Sequence, residues 1–333
     1  MLRHEGNHLG DTWYYVAGDI CHCYYLTCPE SVPRHTDWEI AHATSRDMIH
    51  WELQGTVLRK GNAGEWDANG ISTGSVIQYK GLYWMAYTGQ WNGPVGMVGL
   101  AFSKDLYHWE KCSCNPITRP DDHYYAMNGA GVRTFSHWRD PYLFTDGEYA
   151  YHLTCATKKD AKPDACGTVG VARSDDMEHW ELLQPMEIEA VCQEMECPQI
   201  HKIGGRYVLL FSCYGLLFSD QYVKRYGNLL RQTSYYMISD SMFGPYRFCR
   251  EWKLLPDDFD DPDRNVQYAN QLIEKDGRWY LLGTVWSDQG DYIPDPLVYE
   301  MKDGALSLAK RVNTTGKGRN YLEKVEDIGI ISV

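Results

Sequence analysis

SRDMIHW at residues 45–51 returns as SKDLYHW at 103–109 and as SDDMEHW at 174–180, three copies of the pattern S-x-D-[M/L]-x-H-W. A degenerate fourth copy, SDSMFGPY, begins at Ser239. A second unit accompanies it, a Gly-turn followed by an aromatic strand. Its copies are GDICHCYYL from Gly18, GLYWMAYTG from Gly81, GEYAYHLTC from Gly147, GRYVLLFSC from Gly205 and GRWYLLGTV from Gly277. Successive glycines lie 63, 66, 58 and 72 positions apart. A period of roughly 65 residues suits a four-stranded propeller blade with long loops. Between the turns the segments are rich in β-branched and aromatic residues, and no sustained 3.6-residue apolar period competes.

The expectation is an all-β chain, a five-bladed β-propeller that takes up residues 1–333 as a single domain. Its blades fall near 10–60, 66–115, 137–185, 194–250 and 265–310, and a tail at 311–333 is available to close the ring. Each S-x-D…H-W unit reads as the hairpin joining the outer strands of a blade, with its Trp packed between neighbouring blades. His50, His108 and His179 occupy equivalent places in three copies, so they read as polar tips of those hairpins; a catalytic group needs no copies.

Composition narrows the function. The chain of 333 residues is 44% hydrophobic and 14% aromatic, enough for a substantial core. Its formal net charge of −13 and lack of a Lys/Arg cluster argue against nucleic acid and anionic membranes as partners. A neutral, polar ligand fits better. MLRHEGNHLGD at the N-terminus has no apolar h-region, and no window has the length of a transmembrane helix. The eleven cysteines therefore read as reduced, mostly buried thiols of a cytoplasmic protein. The pairs Cys21/Cys23 and Cys112/Cys114 have C-x-C spacing, a weak pattern for zinc, and no metal site is expected.

In a propeller the innermost strands line a central channel, and ligands bind where one set of strand ends converges. Registering the blades on their turn glycines places Asp11 and Asp140 seven residues before Gly18 and Gly147. Glu196 lies nine before Gly205, in EMECPQIHKIGG, and Pro198 lies seven before it. In HWRDPYLF (137–144) Pro141 is tolerated because an innermost strand is a sheet edge. Three carboxylates then face one funnel. Glycosidic cleavage needs such a set: a carboxylate at the anomeric carbon and a carboxylic acid at the leaving oxygen. Repulsion and burial would keep one acid protonated near neutral pH. Arg139 can bind hydroxyls or hold a carboxylate ionised. Trp13, Trp66 and Trp138 offer faces on which a sugar ring can stack.

These motifs in this order resemble glycoside hydrolase family 32, the β-fructofuranosidases (invertases, inulinases, levanases), from about residue 10 to about residue 290. Arg-Asp-Pro at 139–141, Glu-Cys-Pro at 196–198 and the S-G-S-like stretch in WDANGISTGSV (66–76) carry the resemblance. VQYANQLIEKDGRWYLLG (266–283) is similar to the family's final blade. The resemblance implies that Asp11, in GDTWYYVAG, is the nucleophile, Asp140 the transition-state stabiliser and Glu196 the general acid/base. It also implies sugar contacts from Trp66, Asp67 and Ser75, and from Tyr268 and Gln271. The motif around Asp11 departs from the family: Gly10 replaces the usual Asn and Thr12 the usual Pro. Asp19, the nearby competitor, reads as a turn residue.

The implied activity is retaining hydrolysis of a terminal β-fructofuranosyl unit in a small carbohydrate, with no cofactor. Two alternatives stand beside it. One is an inverting arabinofuranosidase or xylosidase like the lone propellers of family 43; the other is a sugar-binding propeller without catalysis. The expectation is a propeller without the C-terminal β-sandwich usual in family 32, so a partner such as a second copy of the chain could cover its flank.

Overall fold

A computed structural model describes residues 1–90, 92, 95–127, 137–227, 230–249, 252–255 and 266–311. The tail expected to close the ring falls, beyond residue 311, outside these described residues.

Five antiparallel sheets follow one another along the chain, each a meander. Blade one consists of β1 (Asn7–Ala17), β2 (Ile20–Pro29), β3 (Glu39–Ser45) and β4 (Glu52–Leu58). Blade two holds β5 (Ile71–Tyr79), β6 (Leu82–Gly89), β7 (Met97–Ser103) and β8 (Glu110–Lys111). Blade three holds β9 (Trp138–Thr145), β10 (Ala150–Thr157), β11 (Gly167–Ser174) and β12 (Glu181–Leu183). Among the described residues blade four shows three strands, β13 (Glu196–Ile203), β14 (Arg206–Cys213) and β15 (Thr233–Ser239). Blade five has β16 (Tyr268–Lys275), β17 (Arg278–Thr284), β18 (Leu297–Lys302) and β19 (Ala305–Arg311). The five-bladed propeller expected from the repeats is therefore the fold. Its first strands β1, β5, β9, β13 and β16 pack in sequence around the axis, and β16 returns against β1 to close the ring.

Tight turns join each inner strand to the next. Lys80–Gly81 and Asp276–Gly277 have positive φ at both central residues, the two-residue turn whose twist matches a hairpin. The three S-x-D-x-x-H-W units link the third and fourth strands of blades one to three, and they share one hydrogen-bond set. Ser45 Oγ accepts from the backbone N–H groups of Asp47 and Met48, and Asp47 Oδ1 accepts from those of Ile49 and His50. Asp47 Oδ2 pairs with His50 Nδ1 at 2.7 Å. The sets around Ser103 and Ser174 repeat this, and Met48, Leu106 and Met177 are buried in the left-handed region. The repeat histidines are exposed caps of a turn, as expected.

Among the described residues each junction between blades holds a large apolar cluster. Trp13, Tyr24, Val76 and Tyr87 join blades one and two, with Trp109 packed against them. Trp138, Leu143, Tyr79 and Val98 join blades two and three, with Trp180 alongside. Trp51 lies at the junction of blades five and one. The strand faces of a propeller thus point at neighbouring blades, and only strand edges see the axis. This removes two expected sugar platforms. Trp13 and Trp138 are fully buried core residues, because the face they occupy is covered by the adjacent blade.

Candidate active site

A β-bulge interrupts every inner strand at the same level. In β1, Gly10 and Asp11 lie between the pairs Leu9–Thr27 and Thr12–Tyr25, and thus oppose Leu26 alone. Asp140 and Pro141 do the same in β9, Cys197 and Pro198 in β13, and Ala269 and Asn270 in β16. In β5, Thr73 is the extra residue between Ser72 and Gly74. A bulge adds one residue, bends the strand and re-aims a side chain. Here it frees residues from the blade faces and turns them to the axis. Asp140, Cys197 and Ala269 have φ of 56°, 49° and 48°, a left-handed backbone that non-glycine residues adopt at a cost.

Pro141 and Pro198 occupy second bulge positions, where no ladder N–H is required. Registration on turn glycines was one residue off between blades. Asp11 is the second residue of its bulge and Asp140 the first, because the blade-one turn, Gly18–Asp19, starts on its glycine. Asp19 is exposed in that turn and ion-paired with Arg46.

The bulges bring Asp11, Asp140 and Glu196 together. Asp11 Oδ2 accepts from Thr73 Oγ1 at 2.5 Å and lies 3.7 Å from Cys197 Sγ. Burial pushes the Asp11 carboxyl up to about 6, against the Thr73 hydroxyl bond and with help from the charge of Glu196. Asp140 is buried. Its backbone N–H donates to Thr88 Oγ1 at 2.9 Å, and its Oδ2 accepts from the Cys197 N–H at 3.1 Å. Burial also raises its carboxyl to about 6; Arg139 opposes this and Asp11 adds to it.

Arg139 organises the far side. Its Nη2 donates to Glu196 Oε1 at 2.8 Å and to Glu194 Oε2 at 2.7 Å, and its Nη1 meets His137 Nδ1. Tyr268 donates its hydroxyl to the other oxygen of Glu196. Tyr268 in turn leans on Tyr214 and Trp286, with ring centroids 5.3 and 5.5 Å away. Trp286 is tied across the ring closure by its indole N–H to the Leu9 carbonyl at 2.9 Å. Partly exposed Tyr214 and Trp286 thus form an aromatic wall beside the carboxylates.

The remaining expected sugar contacts go elsewhere. Asp67 is buried in an ion pair with Lys111 Nζ at 2.6 Å and accepts from the Tyr87 hydroxyl, so its carboxylate is spent within blade two. Trp66 covers Gly89 and Gly99, where an added Cβ would overlap its ring. Ser75 is buried and accepts from the Leu143 N–H at 2.7 Å, tying β5 to β9. Gln271 and Ser75 both line an axial cavity of about 280 Å³ formed by β1, β5, β9 and β16 beyond the bulges. Sequence reasoning missed Glu194, His137, Thr73 and the Tyr214–Trp286 wall. Glu194 was findable, because E-M-E spacing puts it on the same side of an extended chain as Glu196. Nothing near Trp286 in sequence marks it.

One oxygen each of Asp11 and Asp140 and the Cys197 sulfur lie within 4.8 Å of one another, the one such potential cation-ligand group among the described residues. Thr73 and the Cys197 N–H already engage those carboxylates.

The glycosyl hydrolases family 32 N-terminal domain matches residues 12–324. The chain belongs to glycosyl hydrolase family 32. It is 26% identical over 319 residues to a sucrose-6-phosphate hydrolase of Escherichia coli, across 91% of this chain and 58% of that protein. It is 27% identical over 207 residues to a sucrose-6-phosphate hydrolase of Zymomonas mobilis, across 58% of this chain and 37% of the relative. The chain thus spans only about 37% to 58% of the length of these curated relatives. Two solved structures share its fold. Sucrose-6-phosphate hydrolase from Lactobacillus gasseri superposes with a TM-score of 0.71 at 20% identity, covering 91% of this chain and 61% of the other. Inulosucrase from Halalkalicoccus jeotgali, bound to kestose, gives 0.72 at 19% identity, covering 92% and 88%.

Proposed function

We propose that this chain hydrolyses terminal β-fructofuranosyl linkages of a small carbohydrate with retention of configuration. The convergence of Asp11 and Asp140, at their bulges, with Glu196, the residue before the blade-four bulge, carries the reading. Asp11 attacks the anomeric carbon, the glycosidic C–O bond breaks, and Glu196 gives its proton to the departing oxygen. Glu196 then takes a proton from water, whose oxygen cleaves the fructosyl ester and returns Asp11 as a carboxylate. Asp140 accepts hydrogen bonds from ring hydroxyls that strengthen as charge develops on the sugar. The Tyr214–Trp286 wall offers the leaving sugar an apolar face in place of Trp13.

The same reading takes residues 1–333 as one catalytic propeller domain, supported by the blades spanning Asn7–Arg311. It places the protein in the cytoplasm, supported by eleven free cysteines, most of them buried. Among the described residues no helix is long and apolar enough to cross a membrane.

The test is incubation with sucrose, inulin oligosaccharides, levan and arabinofuranosides, with the anomer of the first-formed product read by NMR. β-Fructose from wild type and none from Asp11→Asn or Glu196→Gln supports the proposal. An inverted product moves the assignment to the family-43 type of chemistry. Binding without turnover on every furanoside makes the chain a sugar-binding propeller.

A further inference from the structure

Two pairs of alternating residues face each other across blades three and four: His137 with Arg139, and Glu194 with Glu196. Arg139, Glu194 and Glu196 are the charged members of this group. His137, which the family motif does not include, is almost completely buried, and its backbone N–H is held by Thr157 Oγ1 at 3.3 Å. Its Nδ1 meets Arg139 Nη1, and its Nε2 lies 3.6 Å from Glu194 Oε2. That Glu194 oxygen is the one Arg139 Nη2 reaches at 2.7 Å, and the same Nη2 reaches Glu196 at 2.8 Å.

Hydrogen-bond chemistry assigns the protons. A guanidinium has donors and no acceptor, so Nδ1 must be the accepting, unprotonated nitrogen. The imidazole proton is then on Nε2, the nitrogen 3.6 Å from the Glu194 carboxylate. A doubly protonated ring would set N–H against N–H. His137 and Glu194 hold the guanidinium of Arg139 from two sides, and that orientation lets Nη2 serve Glu194 and Glu196 together.

We infer that His137 is a positioning residue, a neutral imidazole of one tautomer that locks Arg139 against Glu196 and thereby sets the geometry of the acid/base. The inference rests on the glycosidase reading for its kinetic consequence, but not for the lock itself. With the lock lost, Glu196 remains but is displaced, so the chemical step suffers more than binding. A misplaced catalytic group costs up to roughly 100-fold.

Two variants and one spectrum test it. In His137→Leu, kcat on the best furanoside should fall roughly 30- to 100-fold while KM changes less than about threefold. In His137→Asn, the amide oxygen replaces Nδ1 as the acceptor for Arg139, and kcat should stay within about threefold of wild type. Melting curves confirm that both variants are folded. Ring-nitrogen NMR of the full chain at pH 7, assigned by the signal that His137→Asn removes, should show Nδ1 bare and Nε2 protonated. A folded His137→Asn as impaired as His137→Leu overturns the inference, as does a folded, fully active His137→Leu. A ring protonated on Nδ1 overturns it without any substrate. If wild type turns over no furanoside, the glycosidase reading fails, while the spectrum still decides the lock.

Discussion

The backbone N–H of Cys197 donates to Oδ2 of Asp140 across 3.1 Å, so the bulge of blade four is bonded to the bulge of blade three. Both residues carry left-handed backbone. The Asp140 carboxylate thus satisfies the backbone N–H of strained Cys197, while the Asp140 N–H is satisfied by Thr88.

On the proposed mechanism Asp140 has two separable jobs, and two substitutions separate them. Asp140→Asn keeps an oxygen for the Cys197 N–H but loses the charge beside the sugar. Asp140→Ala loses both. Each should lower kcat/KM roughly 100- to 1,000-fold. Only Asp140→Ala should also lose about 1–3 kcal/mol of stability in urea unfolding, because it strands a buried N–H.

Acidity should limit the proposed activity early. As the proposed nucleophile Asp11 must be ionised, and burial raises its carboxyl to about 6 from an ordinary carboxylate value. The protonated, inactive form dominates below that pH. On the acid side kcat/KM should fall roughly tenfold per pH unit below about 6. Thr73→Val removes the hydroxyl bond that favours the ionised form, so the acid limb should move to higher pH. An unmoved limb would show that Asp11 is not the group it reports.

Asp67 should behave as a structural ion and not as a sugar ligand. Lys111→Met leaves its buried carboxylate without its cation, which costs about 3–5 kcal/mol for a buried pair. KM, measured well below the unfolding transition, should not change. A raised KM with unchanged stability would return Asp67 to the substrate.

The hairpin cap of blade two should be worth a measurable part of the stability. Ser103 Oγ accepts from the N–H groups of Asp105 and Leu106, which holds the left-handed backbone at Leu106. Ser103→Ala should destabilise by about 1–2 kcal/mol in urea unfolding with kcat unchanged.

Blade number and the order of the acids were legible because repetition is a one-dimensional signal. The Ser–Asp–His turn needs the same side chains wherever it occurs, so its copies survive in the sequence. Asp140 and Glu196 were legible because each stands before a proline or a Cys-Pro that marks its bulge. The aromatics were not. Trp13 stands two residues from Asp11, and simple alternation would put both on one side. The bulge shifts that parity: Leu9 and Tyr14, five apart, pack in the same cluster between blades five and one. Trp13 therefore packs toward blade two.

The sequence by itself determined that five similar β-units follow one another and that three of them bring an acid to the start of their first strand. Only the tertiary structure decided which side chains meet at the axis. A propeller strand offers both faces to its neighbours, and a single extra residue in the ladder chooses what is left to face the centre. That extra residue has no pattern of its own in the sequence. It is defined by the partner strand it fails to match, and that partner is known only once the blade has formed.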